Sequence, residues 1–449
     1  MDTAYYANIR RFLRQGELPQ KDAVRIEEML NYFSYNYPEP TGHDPFSVTM
    51  ELGQTPWNPD TKLLLVGLQA EDPAANNRPP SNLVFLIDVS GSMHGPDRLD
   101  LVKRAYLTML DQLGPEDKIS IVTYASVDEV VIEGASLDNK TEIMTAIENL
   151  DPGGSTHGSA GINTAYEIAE KYFIEDGNNR IILATDGDLN VGVTSEGELI
   201  DLIEDKKETG TFLSVLAFGY GNYKDDKLEA IANHGNGHLS YIDDIFEARK
   251  VLSDELGSTL FTVAKDVKLQ VDFNPAYVKG YRLIGYENRV MAAEDFADDT
   301  KDGGEIGSGH SVTALYEIVD VDSDFEIPSV DSKYTTPDES TETENTSDFN
   351  DEMLTLNIRY KEPDGDTSEL LTYPLVADEA DEPSDNFLLA ASLAEFGMLL
   401  KDSEFKGSTD YNLILSSLED LASDDPYVVE LLELVEIAQD LPPRYDSGE

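Results

Sequence analysis

Short apolar runs alternate with helical patterns throughout residues 82–257, and this alternation constrains the fold more than any other feature of the sequence. The runs Leu83–Val89 and Arg180–Asp186 are apolar over most of their length, which is typical of strands buried on both faces of a sheet. Between such runs, apolar residues such as Leu99, Val102 and Tyr106 recur at helical spacing. The alternation predicts an α/β fold with a doubly wound, mostly parallel, Rossmann-like six-stranded sheet in the strand order 3-2-1-4-5-6.

The regions that flank this alternation have other periodicities. Val267, Leu269 and Val271 alternate with polar residues, as strands of a half-buried sheet do. We expect the strands on both sides of the α/β region to pack into one β-sandwich-like module, into which the α/β domain is inserted, with helices at both ends of the chain. The predicted segments are an N-terminal helical segment (1–45), the first part of the β module (46–80), the α/β domain (81–262), the second part of the β module (263–380) with an acidic loop (320–352), and a C-terminal helical region (381–449).

Acidic residues greatly outnumber basic ones. The 449 residues include 89 Asp and Glu against 32 Lys and Arg, which gives a net charge of −57. Such a negative field repels phosphate backbones and anionic lipids, so we predict no nucleic-acid partner. Two explanations of the bulk charge stay open: an acidic surface suited to a high-salt, halophilic habitat, which we favour, and cation binding.

The sequence lacks cysteine and lacks long apolar runs, and each absence excludes a class of structure or site. The sequence has no cysteine, which excludes disulfides, cysteine-zinc sites, iron–sulfur clusters and thiol nucleophiles. No apolar run approaches the ~18 residues that a membrane-spanning helix needs. We therefore predict no membrane-spanning segment.

Hydroxyl and carboxylate side chains gather at the predicted strand ends. Asp88, Ser90 and Ser92 follow the first buried strand, Asp186 ends the fourth, and Thr156 lies in a glycine-rich turn before a helix. The first and fourth strands are neighbours in the predicted order, so Asp88 and Asp186 are expected side by side at the carboxyl edge, where α/β sheets bind ligands. An adjacent loop would bring Thr156 to the same place.

Each of these residues also has a simpler interpretation. Ser90 and Ser92 could cap a helix that begins near Asp97, and Thr156 could cap the helix that follows it. Asp186 and the glycine after it could form an ordinary turn. The two interpretations differ in whether the side chains converge.

The motif as a whole resembles a known family. Asp88, Ser90, Ser92, Thr156 and Asp186 match, in order, the metal-ion-dependent adhesion site of von Willebrand factor type A domains. The stretches DAVRIEEMLNYF, NRIILATDGDLNVG and DVKLQVDFNPAYV are similar to the bacterial YfbK-type members of this family. The resemblance implies that the two serines and the threonine bind the metal directly and that the aspartates often act through water.

The donor set predicts the kind of cation and its use. All five side chains offer oxygen, which suits Mg²⁺, Ca²⁺ or Mn²⁺ and not zinc or copper. Two carboxylates would leave a divalent cation electrophilic, with a position open to an Asp or Glu of a partner protein. We predict a monomeric, metal-dependent binding protein for adhesion or scaffolding, not an enzyme. His94, His157 and Asp188 are expected to form the partner-binding rim.

Two other roles for the proposed metal site stay open. The cation could serve only to stabilise a structural surface protein. Alternatively, Asp88 could be the nucleophile or base of a metal-dependent hydrolase, although no phosphate-binding loop and no G-x-S-x-G or HExxH motif occurs.

The resemblance implies an exported protein at the cell surface or in the periplasm. It also implies a lipid anchor carried by a signal region ahead of the present N-terminus.

Overall fold

A computed structural model gives the fold of two compact units. The first unit, which we call the α/β unit, comprises Met1–Ala7, Asp72–Thr262 and Gly307–His310; the second, the β-sandwich unit, comprises Asn8–Glu71, Val263–Ile306 and Ser311–Glu449. The residues that the structure describes are 4–72, 78–155, 158–187, 196–219, 225–286, 295–296, 298, 303–325, 351–363, 365, 367–376, 382–422 and 425–442.

The strands of the described residues are β1 (Phe46–Gln54), β2 (Lys62–Ala70), β3 (Ser81–Asp88), β4 (Lys118–Tyr124), β5 (Asp128–Ser136), β6 (Asn178–Thr185), β7 (Thr211–Phe218), β8 (Leu239–Ile242), β9 (Thr262–Phe273), β10 (Val278–Ile284), β11 (Gly304–Gly307), β12 (Ser311–Asp320), β13 (Glu352–Lys361) and β14 (Glu369–Val376). The helices are α1 (Ala4–Arg14), α2 (Ile26–Tyr32), α3 (Leu99–Met109), α4 (Lys140–Glu148), α5 (Gly158–Lys171), α6 (Glu196–Lys207), α7 (Asp225–His234), α8 (Ile245–Arg249), α9 (Leu256–Leu260), α10 (Asp385–Lys401), α11 (Tyr411–Leu421) and α12 (Pro426–Asp440).

The α/β unit contains the predicted six-stranded sheet. Its order is β5-β4-β3-β6-β7-β8, and every neighbouring pair is parallel except β4 and β5, which are antiparallel. This is the predicted order 3-2-1-4-5-6, and the doubly wound α/β fold is confirmed. The switch in direction of winding falls between β3 and β6, where ligands bind in such sheets.

Helices cover both faces of this sheet. On one face, side chains of α3, α4, α8 and α9 join one buried cluster with residues such as Phe85 and Ile121. On the other face, side chains of α5, α6 and α7 join a second cluster with Val84 and Val122. Neighbouring residues of β3 and β4 therefore point to opposite cores, which explains why these strands have continuous apolar sequences.

The β-sandwich unit contains two four-stranded sheets, in the orders β1-β2-β12-β10 and β11-β9-β13-β14. Strands from before and after the α/β insertion share the first sheet, since β2 pairs with β12 in antiparallel register. The sheets face each other: the ring of Phe273 on β9 lies 4.2 Å from that of Tyr281 and 5.8 Å from that of Tyr316. The predicted inserted-domain arrangement with a split sandwich is thus the observed fold.

Helices pack within the same unit. Along α10 most side chains are buried, and the helix is capped by Ser384, whose hydroxyl accepts a hydrogen bond from the Phe387 amide. The Ser384 amide donates to Glu51 of β1 over 2.8 Å. The cap therefore also attaches the start of the helix to the first sheet.

Several elements differ from the prediction or were not predicted. Strand β10 and helices α4 and α7 carry weak patterns and were not predicted. Most of the predicted acidic loop lies outside the described residues, which resume at residue 351. Within the described part of the chain, no helix has the length and apolar character needed to cross a membrane.

Candidate metal centre

Two buried carboxylates lie at the carboxyl edge of the parallel sheet. Asp88 is the last residue of β3 and is 0% exposed, and Asp186, which follows β6, is 8% exposed. Ile87 pairs with Ala184 in the register of these two strands. Asp88 is therefore level with Thr185, and Asp186 is the next residue along the chain. The charge of Asp186 also acts on the carboxyl of Asp88, so the structure brings Asp88 and Asp186 to one edge as predicted.

Hydrogen bonds orient the carboxylate of Asp88. The Ser90 amide donates to its Oδ1 over 2.8 Å, and the Thr185 hydroxyl donates to its Oδ2 over 3.3 Å. Thr185 in turn accepts a hydrogen bond from the Gly187 amide over 3.3 Å. Both oxygens of Asp88 thus have a donor, and the carboxylate is held by the loop that follows β3 and by the last residue of β6.

Burial and the charge of Asp186 both disfavour ionisation of Asp88. Burial raises the pKa of Asp88 to about 6; hydrogen bonds from Ser90 lower that pKa, and the negative charge of Asp186 raises it. A cation at this edge would act in the opposite direction, since it stabilises the ionised form of both groups. The electrostatics of the edge therefore favour a bound cation.

The hydroxyls of Ser90 and Ser92 lie together beside Asp88. Their Oγ atoms are 2.9 Å apart, on a 3₁₀ turn at Gly91–Met93. Ser90 is buried and Ser92 half-buried. The proposed capping role is wrong for both: Arg98 occupies the N-cap of α3, and the side chain of Ser90 caps no amide of the 3₁₀ turn.

A third loop is attached to the serine loop by two backbone hydrogen bonds. The Gly153 amide donates to the Val89 carbonyl over 2.7 Å, and the Gly91 amide donates to the Gly154 carbonyl over 3.1 Å. Ser155, the last described residue of this loop, bonds through its amide to the hydroxyl of Ser126 over 2.9 Å. The chain leading to the predicted threonine ligand is therefore held next to the serine pair.

Three of the predicted residues, Thr156, His157 and Asp188, lie outside the described residues. His94 is described and is exposed, one turn beyond the serine pair. Thr185 and Ser126 were missed by the sequence reasoning. Thr185 had a signal, since it directly precedes Asp186, whereas Ser126 reaches the site only through a contact between loops.

The donor set fits a hard divalent cation. Mg²⁺ takes oxygen ligands at ~2.1 Å in an octahedral arrangement, so adjacent ligands are about 3.0 Å apart. The Oγ atoms of Ser90 and Ser92, which share a hydrogen bond, are 2.9 Å apart and so are close to that separation. No group of three or more His, Asp or Glu side chains in the described residues could hold a metal ion by itself. Among the described residues of this edge, a cation site would therefore also have to use hydroxyl ligands.

Comparisons with known families agree with this geometry. Residues 82–254 match the von Willebrand factor type A domain. Residues 258–441 match the family described as the C-terminal part of Uncharacterized protein YfbK, and residues 1–65 match a family described as von Willebrand factor. The chain is thus a von Willebrand factor type A domain protein.

Similarity to proteins of known sequence identifies the family of this chain within that class. It is 40% identical over 447 residues to Uncharacterized protein YfbK of Escherichia coli, a match that covers 98% of this chain and 76% of that protein. The chain therefore belongs to the YfbK family. It is also 27% identical to human inter-alpha-trypsin inhibitor heavy chain H3, over 36% of this chain and 19% of that one.

Among solved structures, the fold is similar to that of "von Willebrand factor type A from Catenulispora acidiphila". The two chains share 14% sequence identity, with 90% of this chain and 88% of that one covered and a TM-score of 0.43.

Proposed function

We propose that this protein is a metal-dependent binding protein, not an enzyme. Asp88, Ser90, Ser92, Thr156 and Asp186 would hold Mg²⁺, Ca²⁺ or Mn²⁺, and an Asp or Glu of a partner protein would complete the coordination. The observation that carries the proposal is the pair of serine hydroxyls 2.9 Å apart beside a buried carboxylate. Von Willebrand A domains commonly occur in proteins that interact with other proteins, and they often bind a divalent metal.

The charge and exposure of the site support recognition of a carboxylate. Serine and threonine hydroxyls are neutral, and aspartates that contact the cation through water would neutralise it only in part, so the cation would stay attractive to another anion. Ser92 is half-buried and His94 is exposed. The serine side of the site is therefore accessible from solvent, and a partner side chain can reach it.

A purely structural role for the cation is the second candidate. It is favoured by the mutual repulsion of Asp88 and Asp186, which contributes to the raised pKa of Asp88. A bound cation would remove that repulsion and stabilise the fold by itself. The two candidates differ in whether a carboxylate from another molecule binds.

The metal is tested first, with the metal alone as probe. Titration calorimetry with Mg²⁺, Ca²⁺ and Mn²⁺ is expected to show binding to the wild-type protein. Ser90→Ala should weaken it at least tenfold, whereas Ser136→Ala, whose side chain caps no helix, should not change it. Equal affinities of the two variants would contradict the site.

The carboxylate is tested second, on the Mn²⁺-loaded protein. The peptide Gly-Asp-Gly with an acetylated N-terminus and an amidated C-terminus should displace metal-bound water and lower the water-proton relaxation enhancement, whereas Gly-Asn-Gly blocked in the same way should leave it unchanged. Equal effects of the two peptides, together with a metal-dependent rise in unfolding temperature, would refute carboxylate recognition and support the structural candidate.

A further inference from the structure

A surface groove of about 530 Å³ lies between α4 and the edge strand β5. Val131 and Ile132 line it on the strand side, and Thr145 and Ala146 line it on the helix side. It belongs to the α/β unit but contains none of the proposed metal ligands. It is therefore a separate surface with its own chemistry.

Helix α4 buries one face in the core and carries short side chains on the face beside the groove. Ile143 and Ile147 are both 0% exposed and pack into the core of the sheet. The neighbouring positions Thr141, Thr145 and Ala146, which face the groove, carry short side chains. Such side chains cannot reach across to β5, so an open space remains above the apolar surface of the strand.

The free edge of β5 is irregular. Among the described strands β5 pairs only with β4, and the register shifts twice, between Ile119 and Ile121 and between Ile121 and Val122. Bulges of this kind bend an edge strand and discourage the pairing of a further strand. Recognition at this edge is therefore expected to use side chains placed in the groove and not strand addition.

One glutamate lines the groove, and a second lies on the same face of the sheet. Glu142 lines the groove. Glu129 pairs with Thr123, which is two residues from the core residue Ile121, so Glu129 lies on the same face of the sheet as α4. No Lys or Arg of the described residues forms an ion pair with either glutamate, whereas nearby Glu133 is paired with Lys171.

We propose that this groove docks a segment of a partner protein that carries an aliphatic side chain next to a Lys or Arg. The aliphatic side chain would cover Val131 and Ile132, and the cation would lie between Glu129 and Glu142. Complementarity to the two unpaired glutamates selects a basic segment over an acidic one. The docking is independent of the metal centre and would act as a second contact with a protein partner.

The test uses the full chain with EDTA present, so that a failure of the metal proposal cannot affect it. Fluorescence anisotropy measures binding of the labelled peptide Lys-Val-Lys-Val-Lys at about 0.15 M salt, where the screening length is ~8 Å. Lys-Ser-Lys-Ser-Lys measures attraction to the acidic surface in general, and Glu-Val-Glu-Val-Glu measures apolar binding without the cation. The first peptide is expected to bind at least ten times more tightly than the other two.

Substitutions in and near the groove test whether the peptide binds there. Ala146→Trp fills the groove and should lower the affinity for Lys-Val-Lys-Val-Lys about tenfold, and Thr145→Lys, at an exposed position, should lower it without risk to folding. Glu142→Gln should lower it about two- to fivefold, and Glu148→Gln, exposed on the same helix, should not. Equal binding of the three peptides, or an affinity unchanged by Thr145→Lys, would overturn the proposal.

Discussion

Replacing Glu395 by glutamine is expected to change how the stability of the β-sandwich unit depends on pH. Glu395 lies on α10 and is 1% exposed, and its Oε1 accepts a hydrogen bond from the Thr409 hydroxyl over 2.6 Å. Burial raises the pKa of this carboxyl from its ordinary value of 4.5 to about 7, and the Thr409 hydrogen bond only partly opposes the increase. The folded protein therefore keeps a proton that the unfolded chain loses.

The magnitude follows from that difference in pKa. A pKa of about 7 in the folded state against 4.5 in the unfolded chain corresponds to about 3 kcal/mol, at ~1.4 kcal/mol for each tenfold change. Because the folded state binds the proton more tightly, the contribution of Glu395 to stability is greatest below pH 4.5 and falls as the pH rises to about 7. Glutamine carries no charge and keeps a hydrogen-bonding oxygen, so Glu395→Gln should remove this loss.

The assay is urea unfolding monitored by tryptophan fluorescence across this pH range. The chain has a single tryptophan, Trp57, which is 1% exposed and belongs to the same unit as Glu395. The stability of Glu395→Gln relative to wild type should rise by about 3 kcal/mol from the acidic to the neutral end of the range. The matched variant Glu404→Gln, at an exposed position, should show a difference that does not vary with pH. A constant difference for Glu395→Gln would refute the reasoning.

Three further outcomes are expected. Gly154→Ala should lower stability by about 1–3 kcal/mol in thermal unfolding, because Gly154 has φ +86° and an added Cβ would lie 2.6 Å from the Ser126 hydroxyl. Gly153→Ala is the control, since an added Cβ there has no atom within 4 Å. Equal losses of stability in the two variants would contradict this reasoning. Arg10→Met should cost roughly 1–3 kcal/mol in urea unfolding, because Arg10 is 0% exposed and pairs with Glu430 over 3.1 Å, while Arg14 still pairs with Glu430 over 2.6 Å. A cost below ~0.5 kcal/mol would show that the Arg10 pair is screened like a surface pair. Saturating Mg²⁺ should raise the unfolding temperature by a few degrees and EDTA should reverse the rise, and no shift in calorimetric scans would argue against the metal.

Much of the fold and part of the site follow from local sequence patterns. Strands buried on both faces leave a continuous apolar run such as Leu83–Val89, and the alternation of such runs with helices restricts the sheet to few orders. Because parallel strands end at one edge, the strand order alone places Asp88 beside Asp186. The predicted neighbours are therefore the observed ones, although no single residue type specifies them.

The remaining features depend on contacts that no local pattern records. β10 contains a glycine and charged residues, and its half-exposed positions blur the alternation expected of a strand. α4 has only a short apolar face, built on Ile143 and Ile147. The bond between Ser126 and Ser155 joins two loops that are distant in sequence. Such elements acquire their structure from their neighbours and not from intrinsic preference.

The pairing of β2 with β12 has a consequence for how the chain folds during synthesis. Leu65 lies opposite Leu315, so the first sheet stays incomplete until the ribosome has made most of the protein. Residues 72–262 of the α/β unit are made before β12, and the Ser308 hydroxyl, three residues before β12, donates to Asp72, two residues after β2. Once that contact exists, the loop that β2 and β12 must close is short, and most of its entropic cost has already been met.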